Sequence, residues 1–83
     1  MTEAGIYQTL TGLFRELFGD DDIVLTPATT AADIESWDSF NHLNLIVATE
    51  ARFGIRLNSA DVETLHSVGD LAAIIRARTE KKP

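Results

Sequence analysis

Asp38, Ser39 and His42, within the run Trp37-Asp38-Ser39-Phe40-Asn41-His42, are the residues whose types and spacing come nearest to chemistry in this chain. A serine hydroxyl with an imidazole three residues further along a helix is the minimum of a nucleophile and its base. Hydrolysis or acyl transfer needs more: a group to orient the imidazole, donors for an oxyanion, and shelter from water. Nothing in the sequence marks those parts, so the chain is not read as an enzyme. Asp38 and His42 also lie one helical turn apart, and Asp20-Asp21-Asp22 is an acid run. Two ligands fall short of a site and acid runs are usually solvated, so no metal is assigned. What Ser39 can do is receive a group. It falls at about the first position of a helix capped by Asp38. Backbone N–H groups there lack internal partners, and the helix dipole favours an anion, with phosphate the best-attested case. A phosphodiester built on that oxygen by a separate enzyme is the economical reading. A serine that merely begins a helix is the plain alternative.

The elements that must position Ser39 follow from periodicity. Ile6, Leu10, Leu13, Phe14, Leu17 and Phe18 form an apolar stripe on a helix from about Glu3 to Phe18, stopped by Gly19. Residues 19–38 make a long connection in which Ile23, Val24 and Leu25 can tuck inward and Pro27 holds Thr26 extended. A loop of that length in a small domain is usually functional. A second helix runs from Ser39 to about Phe53, with Phe40, Leu43, Ile46, Val47 and Ala51 as its apolar face, widened by Leu45 and Ala48, and Gly54 as its stop. Asn58 or Ser59 caps a short helix reaching Leu65. Ser67, with Asp70 three residues on, caps a last helix whose buried face is Val68, Leu71, Ala72, Ile74 and Ile75. Residues 79–83 read as a frayed tail. The expected fold is all-α: one domain over residues 1–83, three long helices and one short in an up-and-down bundle.

Composition narrows the function. With 83 residues there is chain for one modest core and no sizeable cleft. There is no cysteine, which removes disulfides and thiolate metal sites. No apolar run approaches the length of a membrane span, and no secretory layout opens the sequence, so a cytoplasmic monomer is expected. Residues 1–38 hold eight acids against Arg15 alone, a net of −7, whereas residues 39–83 hold five acids against six bases, a net of +1. That acidity argues against nucleic acid and fits either docking to basic protein patches or simple solubility.

Asp38-Ser39-Phe40, followed by Leu43, Leu45, Ala48, Glu50 and then Phe53-Gly54-Ile55, resembles the acyl carrier protein family. In that family Asp-Ser-Leu opens the second helix and Phe-Gly-Ile ends it. The likeness extends to the long first loop, the short third helix and the acidic balance, over about Glu3 to Arg78. It implies that Ser39 carries 4'-phosphopantetheine, taken from coenzyme A by a phosphopantetheinyl transferase. The thiol of the arm then holds acyl groups as thioesters, which brings in the sulfur that the chain lacks. Asp38 would serve the motif and transferase recognition, and Phe40, in place of the usual leucine, would pack beside the arm. Acyl-loading and acyl-processing enzymes would dock through Asp33, Glu35, Trp37, His42, Leu43 and Glu50. Trp37 is also read as packing across the start of the second helix, and His42 as an exposed helix residue. Val47, Ala51, Val62 and Leu65 are read as core that could line an acyl pocket. Glu50 is the only acid in the second helix after Asp38, which points to a discrete carrier of a specialised pathway, polyketide or related, rather than general fatty-acid synthesis. A peptidyl or D-alanyl carrier loaded by an adenylating ligase, and a helical adaptor with no arm, are the alternatives.

Overall fold

Each helix begins and ends where a local signal places it. In the computed structural model, which describes residues 2–80, the order is α1 (Glu3–Phe18), α2 (Ser39–Phe53), α3 (Ser59–Glu63) and α4 (Val68–Glu80). Thr2 caps α1 by accepting the Gly5 N–H at 3.0 Å. Gly19 closes it with φ 66°, a left-handed conformation in which a side chain would be strained. Gly54 ends α2 in the same way with φ 65°, and the Ile55 N–H reaches back to the Glu50 carbonyl at 3.1 Å. Asn58 and Asp61 form a reciprocal capping box on α3, each side chain accepting the other's backbone N–H at 2.8 and 3.0 Å. At α4, Ser67 Oγ accepts the Asp70 N–H at 3.2 Å, while the Asp70 carboxylate accepts from His66.

One core joins these elements. α1 packs against both α2 and α4, burying Ile6, Leu10, Leu13 and Phe14 with Leu45, Val68, Leu71 and Ile75. The long connection is fastened to both α1 and α4. Arg15 Nε donates to the Ile23 carbonyl at 2.9 Å, and Ile23 and Thr29 are buried. The Pro27 and Thr29 carbonyls accept the first N–H groups of α4, from Gly69 at 3.0 Å and Val68 at 2.8 Å. These donors have no partner inside their own helix, so the loop acts as its cap.

Several expectations need correction. The buried face of α2 is Leu45, Ile46, Thr49 and Phe53. Phe40, Leu43 and Val47 are instead 74%, 63% and 65% exposed, and Ala51 is exposed as well. α2 carries apolar residues around most of its circumference, so periodicity alone could not choose between two stripes. α3 stops at Glu63, with Thr64 as its C-cap and Leu65 buried beyond it. α4 extends through Thr79 and Glu80, and the rest of the expected tail lies outside the described residues.

Candidate functional site

Ser39 is the first residue of α2, and its side chain is exposed. Asp38 before it is extended, with φ −105° and ψ −175°, and its carboxylate accepts the Asn41 N–H at 2.8 Å. The Asp38 carbonyl accepts the His42 N–H at 2.8 Å. Asn41 Nδ2 reaches back to the Ser36 carbonyl at 2.7 Å, and the Trp37 N–H donates to Ile34 at 3.0 Å. Ser39 is therefore held at a fixed corner. Among the described residues, the Ser39 and Phe40 N–H groups have no acceptor. They leave an electropositive rim around the hydroxyl.

His42 does not serve Ser39 as a base here. Its Nδ1 accepts the Trp37 indole N–H at 3.0 Å, with the two rings nearly parallel, 17° apart and 6.1 Å between centroids. The imidazole is half-buried rather than freely exposed. Trp37 is 5% exposed and meets Phe14 edge-on at 5.3 Å, so the indole belongs to the core. Among the described residues, no group of three or more His, Asp or Glu side chains could hold a metal ion. The corner can accept a covalent group but has nothing with which to activate its own hydroxyl.

Residues 8–75 match the protein family described as phosphopantetheine attachment site. This chain belongs to the acyl carrier protein family. The carrier is 28% identical over 82 residues to the meromycolate extension acyl carrier protein of Mycolicibacterium smegmatis, covering 99% of this chain and 83% of that protein. It is 26% identical over 73 residues to an acyl carrier protein of Thermotoga maritima, covering 88% and 90%. The solution structure of a holo acyl carrier protein from Geobacter metallireducens superposes with a TM-score of 0.87 at 41% identity, over 92% of this chain and 87% of that one. The all-helical fold is thus that of an acyl carrier, and the protein is a carrier that works with biosynthetic enzymes rather than a catalyst. Its cofactor is covalently attached phosphopantetheine, whose thiol supplies thioester chemistry when present. An exposed hydroxyl beside two unpartnered backbone N–H groups fits a phosphodiester.

The expected docking residues divide. Leu43 is exposed on α2, and Glu35 is exposed in the loop ahead of Ser39. Asp33 is exposed, but its carboxylate fastens a loop turn by accepting the Thr30 N–H at 2.9 Å. Trp37 and Glu50 each have a structural partner. The indole of Trp37 lies in the core, with one edge lining a hollow beside Ser39, and the Glu50 carboxylate accepts the Leu57 N–H at 2.9 Å, tying down the chain between α2 and α3. Val47 and Ala51 lie in a groove with Gly54, Ile55 and Arg56 rather than in the core. Phe40, Leu43, Val47 and Ala51, expected on the apolar inner face, lie on the outer side of α2. The surplus of apolar residues on α2 was the signal that one stripe faces outward.

Proposed function

We propose that Ser39 Oγ is the attachment point of the arm, that Asp38 holds the corner recognised by a phosphopantetheinyl transferase, and that Phe40 packs beside the attached group. The observation that carries this reading is the exposed Ser39 hydroxyl at the first helical position, next to the two unpartnered N–H groups. In the loading step the Ser39 Oγ–P bond forms as the pyrophosphate bond to the 3',5'-adenosine diphosphate half of coenzyme A breaks. The serine proton passes to a base of the transferase, because the His42 imidazole is engaged with Trp37.

Partners dock on the outward stripe Phe40, Leu43, Val47 and Ala51, which starts beside Ser39, with Glu35, Asp33 and Asp38 steering approach from the loop side. Glu50 lines the groove beside Val47 and Ala51 while its carboxylate holds the Leu57 N–H, so the exposed face of α2 offers mainly apolar contact. That favours enzymes of a specialised acyl pathway acting on a monomeric cytoplasmic carrier domain. The test is intact mass after incubation with coenzyme A and a promiscuous transferase. Wild type gains one phosphopantetheinyl group and Ser39→Ala gains none; no adduct on the wild type sinks the assignment.

A further inference from the structure

Beside Ser39 opens a shallow hollow of about 470 Å³ lined by Ala31, Trp37, Asp38, Ser39, His42 and Leu65. Two of its side chains besides Ser39 are strongly polar. The Asp38 carboxylate is turned onto the Asn41 N–H, which leaves His42. An imidazole that accepts at Nδ1 carries its proton at Nε2 when neutral, so the Trp37 indole sets the tautomer. The Nε2–H has no partner among the described residues. Trp37 is buried against Phe14, so the imidazole hydrogen-bonded to it takes its orientation from the core. His42 stands three residues after Ser39, on the same side of α2. The hollow therefore joins one oriented donor to an apolar wall of Ala31 and Leu65, at the base of the attachment corner.

We propose that this hollow seats the first part of the arm. The phosphodiester accepts from His42 Nε2–H, and the dimethyl-bearing pantoyl unit rests on Ala31 and Leu65. This rests on Ser39 being the attachment point. His42 acts as a positioning residue here: it holds the arm's anionic end without touching the thioester. A shallow hollow with one donor restrains the arm's base while leaving its thiol end free to reach partner enzymes. The seat is a resting state and not a lock.

The test uses isotope-labelled protein loaded enzymatically, with loading verified first by intact mass, so that failure of attachment is seen separately from failure of the seat. Nuclear Overhauser contacts should join the pantoyl methyl protons to Ala31 and Leu65. The indole N–H resonance, unambiguous because Trp37 is the one tryptophan, should move between apo and holo forms. In His42→Phe, loading should persist while the equilibrium constant for the seated arm falls about tenfold and those contacts weaken with it, the factor expected from losing a charge-assisted hydrogen bond. A fully loaded wild type with an apo-like indole signal and no contacts to Ala31 or Leu65 overturns the proposal, as do contacts undiminished in His42→Phe.

Discussion

Thr49 is fully buried in the middle of α2, and its hydroxyl has no hydrogen-bond partner among the described residues. A helical threonine commonly bonds the carbonyl one turn back; this one does not. An orphaned buried hydroxyl costs on the order of 1–3 kcal/mol, so Thr49→Val, which keeps the branched shape, should stabilise the fold by about 1 kcal/mol. A higher urea midpoint with an unchanged slope would show it, whereas a lower midpoint would mean the hydroxyl has a partner. At this scale the sequence was informative where a residue acts on its chain neighbours. Asp38 as cap needed only Asn41, whereas Trp37 and His42 needed the core around Phe14 before the meaning of either was visible.

Among the elements, α4 shows how a glycine can be required without an unusual backbone. A Cβ on Gly69 would lie 2.8 Å from the Pro27 carbonyl oxygen, the atom that accepts the Gly69 N–H. Gly12, in mid α1, has nothing within 4 Å of the same position. Alanine gains about 1 kcal/mol over glycine from helix propensity at either site, but at Gly69 the loop must move and about 1–3 kcal/mol is lost to the clash. Gly12→Ala should therefore raise the thermal midpoint and Gly69→Ala should lower it, measured side by side by circular dichroism. Two substitutions of the same sign would remove the claim that the loop is fastened by close backbone approach. Helix ends were legible because caps are local. The tight fit of Gly69 was not, since Pro27 is remote in sequence.

Across the whole molecule, the bond between Asp61 and Arg78 ties α3 to α4. Arg78 Nη2 contacts both Asp61 oxygens at 2.7 and 2.8 Å, and its Nη1 donates to the Arg56 carbonyl at 2.7 Å. The Asn58 backbone N–H, and after it the Arg78 guanidinium, hold the Asp61 carboxyl below the ordinary value of 3.8. A depressed carboxyl pKa means the unfolded chain binds the proton more readily than the folded one. The contribution is therefore present above about pH 4 and lost as pH falls through the lower folded value. Chemical denaturation from pH 7 to 2 should show stability declining in that acid range, and Asp61→Asn should flatten the decline there. An unchanged acid limb in the variant would assign the pH dependence to other acids.

The sequence by itself determined where most helices begin and end, the end of α3 excepted, and that Ser39 opens α2. Thr2, Gly19, Asp38, Gly54 and Asn58 act on groups a few residues away, through bonds that any chain of that order would make. Only the tertiary structure decided which side of α2 is buried, because its apolar residues fit two stripes and packing against α1 selects Leu45, Ile46, Thr49 and Phe53. That choice turned Phe40, Leu43 and Val47 outward and drew Trp37 into the core, where its indole orients His42 beside the serine. Local bonding is written along the chain, whereas burial is settled between elements.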